Sequence, residues 1–243
     1  MTMAQEKSDS VRCDYLPGCN YKIWQDGREF PFTTDSVFLA HFPHLVHKAR
    51  VLELGCGTGA ISMLLEARGA QHVTAVDCNP KITELLRRSV ADNNLYDKFT
   101  VIDGDIRRFK EHLAPESVDL AVANPPYRVG GNVRQIGTAA CHELTAELED
   151  FFRAAAYAVR YRGRFALVQL PERFVEAVEL ARKYGLQPKK LQWVHSAITK
   201  PAWIFLMEMI KGGSYGLEVL PPLVMYGADG SYTPQVRRYY ENW

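Results

Sequence analysis

No apolar run in this chain approaches the roughly 18 residues that a membrane-spanning helix requires. The opening stretch, Met1–Ser10, is polar and lacks the hydrophobic centre of a secretory signal. Neither sign of charge dominates: 29 Lys and Arg against 28 Asp and Glu leave a net charge of +1. That balance excludes a generally basic nucleic-acid coat protein and still allows a local basic patch. Cysteine is scarce, with five in 243 residues and no C-x-x-C pair. Zinc ribbons and thioredoxin-type sites are therefore not expected. Cys13, Cys19, Cys56, Cys78 and Cys141 read as free thiols of a reducing cytoplasm. Nothing favours a Cys13–Cys19 bridge. No internal repeat or low-complexity segment occurs. The expectation is a cytoplasmic protein without a membrane span, a metal or an obligate protein partner.

What remains is a composition with 47% hydrophobic residues, too apolar for a disordered chain and long enough for one α/β domain with short additions. Residues 1–19 read as a frayed lead-in, and Asp26-Gly27 between two aromatic-containing runs reads as a hairpin turn. Thr34-Asp35-Ser36 before Val37–Phe42 signals a helix start. From residue 50 short strands alternate with helical patterns. Strands are expected at Val51–Leu54, His72–Val76, Phe99–Ile102, Val118–Ala123 and Gly163–Leu170, then near Leu191–Val194 and Trp203–Ile210. Helices are expected at Ile61–Ala67, 80–94, Ile106–Leu113, Leu148–Val159 and from Phe174 to Gly185. Such alternation specifies a doubly wound α/β fold, a seven-stranded, mostly parallel sheet covered on both faces. Residues 195–202 are too few for a helical crossover, so the last two strands form an antiparallel pair near one edge.

Two motifs carry chemistry. Glu53-Leu-Gly55-Cys-Gly57-Thr-Gly59 joins the first strand of the alternating region to a helix, where glycines allow a sharp turn and close backbone approach to a ligand. The spacing is G-x-G-x-G, and an anion at Glu53 suits a ligand with an ammonium or sulfonium group better than a pyrophosphate. Asp77 ends the second strand, 18 residues beyond Gly59, where a carboxylate accepts from ribose hydroxyls. Together these features suggest S-adenosylmethionine. The alternatives are a tight turn without ligand, with Asp77 capping the helix that opens at Pro80. Asp105 has two open readings, an acceptor for the adenine amine of the cofactor and an N-cap for the helix at Ile106.

The second motif, Asn124-Pro125-Pro126-Tyr127, ends the fourth strand. Two prolines stiffen the turn and remove two backbone donors, which frees the Pro125 carbonyl to accept. The Asn124 amide oxygen is a second acceptor, and the Tyr127 ring can stack on a planar group. An exocyclic or amide nitrogen is a poor nucleophile because its lone pair is delocalised. Two acceptors holding its protons favour a tetrahedral nitrogen with the lone pair aimed at a methyl group, which is orientation and electrostatics without a strong base.

The glycine loop, Asp77 and Asn124–Tyr127 together resemble the class I S-adenosylmethionine-dependent amino-methyltransferases, whose fold is Rossmann-like. Phe32-Thr-Thr-Asp-Ser-Val37, Cys141-His-Glu-Leu144, Leu220-Pro-Pro-Leu-Val-Met-Tyr226 and Tyr232-Thr-Pro234 are similar to segments of the bacterial adenine-N6 methyltransferases of a valine tRNA. The resemblance covers about residues 20–235. Lys200-Pro-Ala-Trp203 departs from it. It implies methyl transfer from S-adenosylmethionine, with S-adenosylhomocysteine as product, to an adenine N6 in the anticodon-loop region of tRNA. Asn124, Pro125, Pro126 and Tyr127 would be catalytic. Thr34, Asp35, Glu53, Gly55, Gly57, Gly59, Asp77, Cys78, Asp105 and Asn124 would hold the cofactor. The implied organisation is an extension with a hairpin (1–30), the methyltransferase domain (31–210) and a tail packed on it (211–243).

A tRNA partner requires cations near the pocket. Arg128 and Arg134 follow the catalytic loop and are the substrate-binding candidates; Lys189-Lys190 and Arg237-Arg238, with Tyr239 and Tyr240, are further ones. Each has the plainer reading of a solvated surface charge. His142-Glu143 reads as a structural closure of the loop. Among other readings, a protein-glutamine N5 methyltransferase acting on release factors is expected to have a longer N-terminal region than the roughly 50 residues before the glycine loop. DNA adenine methylation requires a base-reading domain for which there is no room. A non-catalytic RNA-binding protein of the same fold would not need both motifs intact.

Overall fold

The computed structural model describes residues 11–26, 31–127 and 146–241. The seven expected strands are β3 (Arg50–Leu54), β4 (His72–Asp77), β5 (Phe99–Asp103), β6 (Val118–Ala123), β7 (Val159–Gln169), β8 (Leu186–His195) and β9 (Ala202–Lys211). They form one sheet in the order β8-β9-β7-β6-β3-β4-β5. All neighbouring pairs are parallel except those made by β9, which runs antiparallel to both β7 and β8. Two two-residue strands, β10 (Glu218–Val219) and β11 (Leu223–Val224), lie parallel to β8 and bring the sheet to nine.

The apolar residues of the strands alternate between two cores, as a sheet buried on both faces requires. On one side Val51, Val73, Leu120 and Val168 meet α1 (Thr34–His41), α2 (Ala60–Ala67), α3 (Pro80–Asp92) and the C-terminal helix α6 (Pro234–Tyr240). On the other, Leu52, Leu54, Phe165 and Met207 meet α4 (Leu148–Ala158) and α5 (Phe174–Lys183). Among the described residues no helix is long and apolar enough to cross a membrane.

Two expectations need correction. Residues 11–15 are not a frayed lead-in: β1 (Val11–Tyr15) pairs antiparallel with β2 (Lys22–Asp26). Their turn lies at residues 16–21, where Gly18 and Asn20 take positive φ, and the turn expected at Asp26-Gly27 falls at the limit of the described residues. Asp26 ends β2, and Gly27 lies outside the described residues. The hairpin is held by α3, whose Ser89 hydroxyl and Asn93 amide oxygen accept from the Trp24 and Lys22 N–H groups at 2.9 and 3.0 Å. Second, the helix expected at Ile106–Leu113 is a kinked 3-10 segment over Ile106–Glu111. The tail, to which no element was assigned, ends in a helix, α6, opened by a Thr233 cap and Pro234 in its first turn. Among the described cysteines, Cys13, Cys19 and Cys56 are free thiols.

One buried charge ties the antiparallel edge to the layer above it. Glu208 on β9 is 1% exposed, pairs with Arg164 at 2.6 Å, and accepts from the His44 N–H at 2.7 Å. Removing one partner of such a pair leaves an uncompensated charge. Glu208→Ala is expected to lower unfolding stability by about 3–5 kcal/mol, measured by urea denaturation. A loss below about 1 kcal/mol would show that the pair is solvent-screened.

Candidate active site

The carboxyl ends of β3, β4, β5 and β6 lie side by side and set the candidate residues in one crevice, where open α/β sheets bind ligands. Gly55, Gly57 and Gly59 all take positive φ, at 70°, 52° and 82°. Each therefore sits where a side chain would be strained. At Gly59 a Cβ would also collide with Leu86, so this glycine lets α3 close on the turn. At Gly57 the space is open, with no atom within 4 Å of where a Cβ would stand. The backbone at that point faces room for a ligand.

Two carboxylates hold the turn. Asp77, at the end of β4, accepts from the Gly57 N–H and the Asn79 N–H, both at 2.9 Å. It thereby links the glycine turn to the approach of α3, while Asn79 caps that helix by accepting from the Lys81 N–H at 3.1 Å. Burial pushes the Asp77 carboxyl up, opposed by these backbone donors. Glu53 lies beneath the turn, 1% exposed. It accepts from the Ser62 N–H at 2.8 Å and meets the Ser62 hydroxyl. Its expected place as an anion presented to a ligand is corrected: it is a buried brace between β3 and α2. Burial raises its carboxyl to about 8.

Asp105 caps the 3-10 segment, accepting from the Arg107 N–H at 2.9 Å, and pairs with the Arg107 guanidinium. That hydrogen-bonded cation holds its carboxyl below the usual range. The capping reading of this residue holds, and the carboxylate still lies in the row formed by Asp77 and Asp103. Cys78 is exposed beside Asp77 at the end of β4.

Asn124–Tyr127 leaves β6 as expected. Pro125 is buried, and Asn124 is half-buried. The Asn124 side-chain amide makes no hydrogen bond among the described residues. Tyr127 donates its hydroxyl to Asp35 Oδ2 at 2.8 Å, across 92 positions of sequence. Asp35 lies at the start of α1, 6% exposed, and its Oδ1 is buried without a hydrogen-bond partner. Burial raises the Asp35 carboxyl, and burial with the adjacent carboxylate raises the Tyr127 phenol. Sequence reasoning named both residues but had no signal for their contact.

The cation candidates fare differently. Arg128, Arg134 and Cys141–Leu144 lie outside the described residues. Lys189 and Lys190 sit midway along β8, the first reaching the Ser214 carbonyl and the second the Phe42 ring, so they are not at the carboxyl edge. Tyr239 is not open to a base: it stacks on His41 at 4.6 Å and meets Phe38 edge-on. Tyr240 is half-buried against Tyr232. Arg237 and Arg238 remain on the surface of α6.

A chemical test of the brace follows from its pKa. A carboxyl raised in the folded state stabilises fully below its unfolded value and loses that contribution as pH rises toward the folded value. For Glu53 the window runs from the ordinary 4.5 to about 8. The stability of the wild type relative to Glu53→Gln should fall across it, by up to about 1.4 kcal/mol per pH unit. Paired urea titrations at several pH values measure the difference, and a flat profile would show that Glu53 is not a buried acid.

The described geometry agrees with the comparisons to known proteins. The methyltransferase small domain family matches residues 33–185. A tRNA1(Val) (adenine(37)-N6)-methyltransferase of Tolumonas auensis is 30% identical over 169 residues, covering 68% of this chain and 70% of the relative. One from Haemophilus influenzae is 26% identical over 88% of this chain and 90% of its own length. Among solved structures, an Agrobacterium tumefaciens protein described as a predicted O-methyltransferase superimposes with a TM-score of 0.70 at 21% identity, covering 86% of this chain and 98% of its own. The Thermus thermophilus 16S rRNA N2 G1207 methyltransferase, solved with AdoMet and guanosine, gives 0.60 at 22%, covering 83% and 50%. These two show the fold. With the family match spanning most of the sheet and every element of the crevice, the chain belongs to the methyltransferase small domain family.

Proposed function

We propose that this enzyme transfers a methyl group from S-adenosylmethionine to the exocyclic N6 amine of an adenine in tRNA, in the anticodon-loop region. The observation that carries the reading is the Asn-Pro-Pro-Tyr turn at the end of β6, with an unengaged Asn124 amide and a Tyr127 anchored to Asp35. The relatives' names supply the substrate class. A cytoplasmic location accords with it.

The residues present fit the cofactor. The open space at Gly57 accepts its nucleoside and methionine linkage, and Asp77 offers lone pairs to ribose hydroxyls. The orphaned Oδ1 of Asp35 suits its ammonium group. Gly55 and Gly59 shape the turn, Thr34 lies beside Asp35, and Asp105 with Cys78 borders the adenine side. When bound, the cofactor supplies an electrophilic methyl carbon on a sulfonium sulfur. The Asn124 amide oxygen and the Pro125 carbonyl accept the two amine protons and turn the nitrogen lone pair toward that carbon. Pro126 keeps the turn rigid, and the Tyr127 ring stacks on the adenine. The Asn124 and Pro125 oxygens would hold both amine protons during the transfer, and the one that the methylated nitrogen gives up would pass from them to solvent. The adenine must be flipped or unpaired to reach the turn.

Asn124→Ala is expected to lower kcat on tRNA by roughly a hundredfold or more, the scale of losing a positioned transition-state partner. The affinity for S-adenosylmethionine, read by calorimetry, should stay within about twofold, because Asn124 acts on the amine. Loss of cofactor binding with the fold intact would contradict the assignment.

A further inference from the structure

The C-terminal segment builds an aromatic column that the proposed reaction does not use. Tyr226 and Tyr232 oppose each other across an antiparallel bridge. A tight turn closes it: the Gly227 N–H donates to the Ser231 carbonyl at 2.8 Å, and the Gly230 N–H to the Gly227 carbonyl at 3.0 Å. Directly opposed residues send their side chains to the same face. Their rings stack with centroids 5.3 Å apart and planes 15° off parallel. Thr233 and Pro234 then start α6, which returns Tyr240 to the other face of Tyr232, at 5.3 Å and 14°. The three phenols adjoin in series, and Tyr240 lies beside Thr34. Thr34 precedes Asp35, the residue that anchors Tyr127. The inner end of the column therefore abuts the candidate active site.

The outer end is open. Tyr226 is 39% exposed although Tyr232 stacks on one of its faces. Its backbone is fixed: the Met225 N–H donates to the His195 carbonyl at 2.8 Å and the Tyr226 N–H to the Ser196 carbonyl at 2.9 Å. This anchor lies where β8 ends, at the same carboxyl edge of the sheet as Asn124. Cations stand beside the column. Arg237 reaches the Tyr232 carbonyl at 3.4 Å, and Arg238 the Pro234 carbonyl at 3.3 Å. A column built only for packing would bury its last ring. This one leaves its last ring partly exposed, next to the Arg237 guanidinium.

We propose that Tyr226 is a stacking platform for an unpaired nucleobase of the RNA near the target adenine, with Arg237 on an adjoining phosphate. The proposal rests on the RNA reading above. A ring already held by its stack on Tyr232 and by a fixed backbone loses little freedom on binding, and stacking on its face tolerates any base. The platform thus holds the loop open beside the adenine without reading its sequence.

The test is a double-mutant cycle read by fluorescence anisotropy. The probes are a labelled anticodon stem-loop and versions of it with one loop base at a time replaced by an abasic site. With the intact protein, one abasic position outside the target adenine should weaken binding by roughly five- to a hundredfold. With Tyr226→Ala that same position should matter by no more than about twofold, while Tyr226→Trp restores the difference. Cofactor affinity should be unchanged in all variants. Should Tyr226→Ala melt early, Tyr226→Leu keeps a cover over Tyr232 and removes the π face. Additive effects at every loop position overturn the platform even if the wild type methylates tRNA, and leave the proposed reaction standing. Coupling without methyl transfer supports the platform and sinks the reaction. Failure of the wild type to bind the stem-loop overturns both.

Discussion

The hydrogen bond from Tyr127 to Asp35 is the constraint on which the candidate site depends. It joins the turn after β6 to the first turn of α1, two segments that the sheet alone would leave independent. A buried carboxylate with one oxygen satisfied by a phenol and the other left without a donor is costly in isolation. The arrangement makes sense as half of a site that a cationic ligand completes. It also orients Tyr127: with its hydroxyl fixed, the ring has one plane to offer, next to Asn124.

Below that bond the glycine turn is braced from two directions. Glu53 holds the start of α2 from beneath, and Asp77 holds Gly57 from the side. Burial pushes both carboxyls up, and at Asp77 the backbone donors that it holds oppose that rise. The backbone of the turn is then presented rather than induced, with open space at Gly57. Preorganisation of this kind lowers the cost of ordering on binding. On the reaction side, an amine whose lone pair is delocalised needs acceptors in fixed places more than it needs a base, and a Pro-Pro turn at a strand end supplies them.

Much of this was legible in the sequence, for identifiable reasons. The sheet strands announce themselves because burial on both faces demands β-branched and aliphatic runs, and the short 195–202 connection dictated the antiparallel β8–β9 pair. Gly55, Gly57 and Gly59 were readable because the turn needs their positive φ. The β1–β2 hairpin was missed because its turn, with Gly18 and Asn20, carries a weak local signal and the pair gains its stability from α3. The Tyr127–Asp35 contact and the tyrosine column were not legible. Each joins residues far apart in sequence or depends on a helix, α6, whose Thr233-Pro234 start was present but went unused. Glu53 was given the right importance and the wrong exposure, since a carboxylate before a glycine turn gives no local sign of which way it points.

The central claim is that the Asn-Pro-Pro-Tyr turn acts on the amine of an adenine in tRNA. The most direct measurement is methyl transfer from labelled S-adenosylmethionine to total tRNA from a strain lacking this enzyme, followed by digestion and nucleoside analysis. Label recovered as N6-methyladenosine from one tRNA species is the predicted result. Label in a different nucleoside, or none in RNA while the cofactor is bound, would contradict the account.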